Sequence, residues 1–439
     1  MSSWSSWLTG TSQAQADQAK PAGTAGQGTN LHAVSDLHPQ EALYGELAHN
    51  DLEWTCPSGL TTETQVWYTF LEDGAFVMSQ IIYSSVGLWN PQVHMTFKYF
   101  HPTTGRKIWK STKAEGFTPL DTDRRCTKSS AFNVTLKDLP DGEQEYMIQA
   151  NLDKDVQLMY SMKRPAKAHG WKLGQGERGG FTYFGESVKT PAGYVVHRFW
   201  PYAVTSGMIV LDGAAIEAKG QGTFVHAIQG MRPNLVASRW NFCTFQSPEQ
   251  DGVTAMIMEF TTTSDYGILH VNSDGSSSKR TPQTVTIGSL VHKGELISVV
   301  ASTRDLDASS DAASRHSQTR IQHLDLTQDD FTGYKVPQAI SYHWDGHTIQ
   351  NKKAISADLR LELGEPAFTK GLVDKVDVME EIPFFVKKLV NYVAGTKPYI
   401  YQTLNPGELT IKLPTADSEE QQVSTIKGIF FEEHTFISE

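Results

Sequence analysis

The strongest constraint in this chain is a rhythm of short β-branched and aromatic runs, each cut off by turn chemistry. Between Phe181 and Phe245 such runs are separated by Thr190-Pro191-Ala192-Gly193, Asp212-Gly213, Gly220-Gln221-Gly222 and Arg232-Pro233-Asn234. Asp-Gly between apolar runs is a strong hairpin signal, because both residues accept positive φ and the turn's twist matches the strands it joins. Along Tyr194–Trp200 the side chains alternate faces. Tyr194, Val196, Arg198 and Trp200 point one way, and Val195, His197 and Phe199 the other. Aromatic groups stand on both sides, which predicts a strand packed on both, as in a barrel wall or a sheet between two domains. An ordinary sandwich core carries the same pattern.

The rhythm begins near Glu53 and continues to the C-terminus. Regularly spaced short strands with turns at Glu72-Asp73-Gly74, His101–Gly105 and Pro140-Asp141-Gly142 point to an antiparallel barrel or sandwich. No helical pattern alternates with them, which argues against a doubly wound α/β fold. Trp54-Thr55-Cys56 and Trp240-Asn241-Phe242-Cys243 each precede a small-residue gap and a strand, an echo that fits two related β units. At 439 residues there is length for two domains. The clearest helix is Glu381–Ala394, with Ile382, Phe385, Val386, Leu389, Val390 and Val393 on one stripe and Gly395 after it. Its default role is core packing.

The first residues, MSSWSSWLTG, place Trp4, Trp7 and Leu8 at i, i+3 and i+4 among serines. At a membrane surface the two indoles and the leucine can bury their apolar faces and order the segment. Thr11–Asn30 is a Gln/Ala/Gly/Ser tether, and Leu31–Ala48 reads as a short helix or an extended arm on the first domain.

A net charge of −11 argues against nucleic acid as a partner. No apolar run is long enough to span a bilayer, and the first residues lack a secretory signal. Cys56, Cys126 and Cys243 are odd in number and lack metal-ligand spacing, so reduced thiols in the cytosol or nucleus are expected.

Gly174-Gln175-Gly176-Glu177-Arg178-Gly179 matches a dinucleotide fingerprint literally, but the strand-like Phe181–Phe184 follows it where a helix is required. On a continuous strand His343, Asp345 and His347 would share a face fit for a metal. Asp345-Gly346 reads as a hairpin turn that breaks that register, so no metal site is expected. No nucleophile motif and no cofactor-binding motif are present. Candidate ligand-pocket residues are Tyr194, His197, Arg198, Trp200 and Trp240, with a satisfied core arginine and a packed histidine as the plainer reading of Arg198 and His197.

The segments LEWTCPSGLTTETQVWYTFLEDGAFVMSQIIYS, HGWKLGQGERGGFTYFG, GYVVHRFWPYAVTSGMIVLDG and FVHAIQGMRPNLVASRWNFCTF resemble the fungal survival factor 1 family, across roughly residues 50 to 439. The resemblance implies an all-β fold of two tandem lipocalin-like antiparallel β-barrel domains, here 31–219 and 220–439, behind a membrane-binding tail and linker at 1–30. It also implies non-enzymatic binding of a long-chain, ceramide-like lipid and its delivery between endoplasmic reticulum and Golgi, in support of survival under oxidative stress. The tail would make a peripheral contact with those membranes, and a nuclear pool fits the reduced thiols. The rival expectation is a lipocalin-like hydratase or pericyclic enzyme acting on a terpenoid or polyene, with His197, Arg198, Tyr194 and Glu217 converging on a pocket floor. A third is a stress factor whose barrels are filled with side chains.

Overall fold

The computed structural model describes residues 29–87, 89–247, 252–271, 277–306, 318–378, 397–415 and 421–438. Trp4, Trp7 and Leu8, expected at a membrane surface, and the expected helix Glu381–Ala394 lie outside the described residues.

The β-branched and aromatic runs form two antiparallel sheets with one shared plan. In the first, the strands are β1 (Gly59–Leu71), β2 (Phe76–Gly87), β3 (Trp89–Phe100), β4 (Lys107–Lys113), β5 (Phe132–Asp138), β6 (Gln144–Asn151), β7 (Val156–Arg164), β8 (Gly193–Leu211) and β9 (Gly220–Gln229). They lie in the order β4-β3-β2-β1-β9-β8-β7-β6-β5. The second holds β10 (Arg239–Gln246), β11 (Val253–Thr261), β12 (Ser277–His292), β13 (Glu295–Asp305), β14 (Arg320–Gln328), β15 (Lys335–His347), β16 (Ala354–Glu362), β17 (Tyr399–Pro414) and β18 (Gln421–Phe436). Their order is β13-β12-β11-β10-β18-β17-β16-β15-β14, the first plan shifted by nine strands. Each sheet curls on itself as a lipocalin-like half-barrel. The chain passes from one to the other between Gln229 and Arg239, because β9 pairs with β1 and β8 in the first sheet. The expected boundary at 219/220 therefore falls one strand early.

Three layers of side chains follow from the alternation. Trp67 and Leu71 of β1 face the first interior, and Val66, Tyr68 and Phe70 face the seam between the sheets. Strand β8 behaves as its sequence predicts: Trp200, Ile209 and Leu211 enter the first interior, while Val195, Phe199 and Tyr202 enter the seam. Across the seam Phe76 stacks on Phe431 at 4.1 Å and Tyr68 on Phe242 at 5.0 Å. The arm before β1 is extended rather than helical over most of its length. Leu31–His32 pairs with Tyr183–Phe184 and Tyr44–Glu46 with Trp171–Leu173. Asn30 clips it to the second unit, donating to the Asp265 carbonyl at 2.9 Å and accepting from the Gly267 amide at 3.0 Å.

Asp212-Gly213 makes the expected tight hairpin, with both residues at positive φ (53° and 80°). Asp345-Gly346 does not turn. Strand β15 runs straight through it, Gly346 pairing with Ile355, and the chain reverses later at Thr348–Lys353, where Lys352 takes φ 56°. Glycine stands at 346 for a different reason: a Cβ there would lie 2.7 Å from Val300 Cγ1. Gly346→Ala should cost at least about 1 kcal/mol through that overlap, read as a lowered urea midpoint at unchanged m-value.

Candidate functional site

Arg198, on the interior face of β8, meets the arm. Its Nη1 donates to the Asp51 carbonyl at 2.7 Å, and its Nε lies 3.4 Å from Asp51 Oδ1. Lys172 Nζ reaches both oxygens of the same carboxylate at 2.9 and 2.8 Å. Beside them His226 Nε2 contacts Glu63 Oε1 at 2.8 Å and Nδ1 faces the Asp51 carbonyl at 3.1 Å. Glu63 also accepts from the amides of Thr55 and Cys56 at 3.0 and 2.7 Å. Both imidazole nitrogens thus face oxygen atoms, which fixes the ring between the arm and β1. The carboxylates and cations here are buried and mutually partnered. The cluster is a clamp between arm and barrel, not a reactive floor.

Of the other candidates on β8, Tyr194 stays within electrostatic reach of Arg198 and Glu63, while His197 and Trp200 turn to other surroundings. His197 points to the seam, against Phe199 and Trp240 at 6.2 and 5.8 Å between ring centres. Burial pushes its pKa down to about 3, so the ring is neutral. Tyr194 lies over Gly230 and beside Phe181. Trp200 is wedged in the first interior with Tyr146 at 4.8 Å and Phe224 at 5.4 Å, and Trp67 closes the group at 5.4 Å from Tyr146. These rings are fully buried and pack on one another. Glu217 is exposed on the hairpin after β8. The four residues that a hydratase-like or pericyclic site would need do not converge.

The possible metal face resolves similarly. His343, Asp345 and His347 do share a strand, but His343 Nδ1 is taken by Asp358 Oδ1 of β16 at 2.6 Å. Among the described residues no group of three His, Cys, Asp or Glu side chains is placed to hold a metal. No helix follows Gly174–Gly179, only the strand Phe181–Phe184.

An open cleft lies at the edge of the seam. A cleft of about 180 Å³ is lined by Trp109 of β4, Phe331, the residues Asp374, Lys375, Val376 and Asp377, and Tyr399 of β17. Sequence spacing could not reveal it, because its walls come from both units. Lys98 of β3, whose side chain is fully buried, crosses the seam to Asp374 Oδ2 at 2.8 Å and to Gln402, with its ammonium 4.8 Å from the Trp109 ring centre. Lys107 Nζ takes the other Asp374 oxygen at 2.9 Å. Burial opposes ionisation of Asp374, but the two lysines outweigh it and hold the carboxyl below the usual range. Tyr399 donates to Asp377 Oδ2 at 3.1 Å. The result is an aromatic-walled notch with carboxylate acceptors and a phenol on its floor. Pockets for drug-sized ligands run to roughly 300–1,000 Å³, so this one suits a polar headgroup and not a whole lipid.

The fold and this geometry can be set beside known proteins. The Svf1 family model matches residues 5–438. The chain belongs to the Svf1 family. Relatives include the ceramide-binding protein svf1 of Emericella nidulans, 31% identical over 414 residues covering 93% of this chain and 94% of that one. The ceramide-binding protein SVF1 of Candida albicans is 32% identical over 401 residues, 90% of each chain. Among solved structures, that of CghA shares the fold at a TM-score of 0.52 and 10% identity, over 86% of this chain and 89% of that one. In this member of the Svf1 family two half-barrels of one strand order thus meet along an aromatic seam, with a cleft at its edge.

Proposed function

We propose that the chain binds a ceramide-class lipid without catalysis and carries it between endoplasmic reticulum and Golgi membranes, in support of survival under oxidative stress. The observation that carries this reading is likeness, over at least nine-tenths of the chain, to relatives named as ceramide-binding proteins. The seam cleft supports it chemically. A ceramide's hydroxyls and amide N–H need acceptors, which Asp374 and Asp377 offer, and its carbonyl needs a donor, which Lys375 offers through the ammonium proton left after Asp329 and the Pro366 carbonyl. The alkyl chains would leave past Trp109 and Phe331. Each methylene removed from water contributes about 0.8 kcal/mol, so even partial coverage of one chain holds the lipid. The tail residues Trp4, Trp7 and Leu8 would supply a weak, reversible membrane contact suited to a carrier.

Native mass spectrometry of the full chain after incubation with ceramide-loaded vesicles tests the reading directly. One ceramide per chain is expected, and Trp109→Ala should weaken its retention by about tenfold through lost apolar contact. A folded chain that stays empty beside loaded vesicles would overturn it.

A further inference from the structure

We propose that the turns carrying Phe331 and Phe368 form a membrane-contact rim at the mouth of the seam cleft. Phe331 is 74% exposed and Phe368 84%; among the described residues no other large apolar side chain exceeds 62%. Isolated exposed apolar side chains are ordinary, but these two are held out by rigid backbone and stapled together. The Phe331 amide donates to Asp329 Oδ1 at 3.1 Å, the Gly333 amide to the Asp329 carbonyl at 2.8 Å, and the Thr332 hydroxyl meets Tyr401 OH at 2.6 Å. The Phe368 amide donates to the Glu365 carbonyl at 2.9 Å, and Thr369 Oγ1 to the Pro366 carbonyl at 3.2 Å. Lys375 joins the turns, with Nζ on Asp329 Oδ2 at 2.9 Å and on the Pro366 carbonyl at 3.0 Å.

The surroundings indicate the occupant. Exposed Lys335 and Lys370 follow the two rings by four and two residues, and exposed Lys397 precedes Tyr399, whose ring meets Phe331; they outnumber the exposed acids Asp330 and Glu365 of the same turns, in a chain whose net charge is −11. Aromatic side chains projecting from fixed turns that carry an excess of exposed lysines match the boundary of a bilayer with anionic headgroups. Phe331 is also a wall of the cleft, so a lipid could pass from the bilayer to the notch without crossing water. The purpose of the rim rests on the proposed lipid binding; its existence does not.

Flotation with ceramide-free vesicles of phosphatidylcholine and phosphatidylserine separates the two. The full chain carrying Trp4→Ser and Trp7→Ser, which silences the tail, should still bind. Adding Phe331→Ser and Phe368→Ser should lower its partition coefficient on the order of tenfold or more, with an unchanged melting temperature. Unchanged partition would overturn the rim. So would unchanged partition accompanied by a lower melting temperature or a loss of dimer, which would assign the face to residues 379–396 or to a second copy of the chain. Loss of ceramide retention with vesicle binding intact would strike the carrier reading and leave the rim standing.

Discussion

Asp51→Ala should destabilise the protein by about 3–5 kcal/mol, the cost of removing one partner from a buried ion pair. Asp51 is the shared anion of Lys172 and Arg198, all three nearly inaccessible to water. Truncation leaves Lys172 without its anion and Arg198 with the Asp51 carbonyl alone, with Glu63 already engaged by His226 and the amides of Thr55 and Cys56. The same carboxylate accepts from the Ala48 amide, so the arm also loses its local anchor. A fall in the thermal midpoint of roughly 4 °C is expected by calorimetry. The control is the triple change Asp51→Leu, Lys172→Met and Arg198→Met, which removes the charges together and should recover much of the loss. If Asp51→Ala melts within a degree or two of the parent, the cluster is hydrated and the clamp is not what holds the arm.

This cluster also shows where the sequence is legible and where it stops. Hairpins at Asp73-Gly74, Asp141-Gly142 and Asp212-Gly213 could be read because positive φ is a local demand that leaves a local residue signature. Gly346 answers a demand made by Val300 on another strand, and from sequence alone it looks the same as a turn glycine. Strand β8 was legible as a wall packed on both faces because alternation is local. Arg198 stood out as a charge among aromatics, yet its partner is 147 positions away and carries no spacing signal. The cleft is harder still, since Trp109, Phe331, Asp374 and Tyr399 come together only when two sheets meet.

The duplication is real, but the sequence echo marks the wrong residues. Trp54 precedes β1 and fills the first interior, whereas Trp240 lies within β10 and faces the seam. The equivalence appears in the register. His226 on β9 stands opposite Gln65 of β1 and Arg198 of β8; His434 on β18 stands opposite Asn241 of β10 and Tyr401 of β17. A buried histidine facing an amide recurs at the same place in both units, beside Glu63 in one and Glu432 in the other. Strand order and one polar layer have been kept while the surrounding spacing diverged, which is why motif reading passes over it.

His197 should give the protein a specific weakness to acid. Its ring is enclosed by Phe199 and Trp240, and burial alone holds its pKa near 3, against 6.5 in an unfolded chain. The folded state therefore declines a proton that the unfolded state accepts once the pH drops below 6.5. The stability involved is intact above that value and is lost as pH falls towards 3. At pH 5 the loss from this one group is about 2 kcal/mol. His323, pushed down first by burial and then by Arg239 and His434, acts in the same direction, so the slope is shared. His197→Phe should leave stability near pH 7.5 little changed and make the variant more stable than the parent by about 2 kcal/mol at pH 5, measured by urea unfolding across that range. A variant whose slope between pH 7 and 5 matches the parent's would mean that His197 takes up a proton as readily in the fold as in the unfolded chain. Water or an acid must then reach the centre of the seam, and the dry aromatic contact between Tyr68, Phe76, Phe242 and Phe431 could not be what joins the two half-barrels.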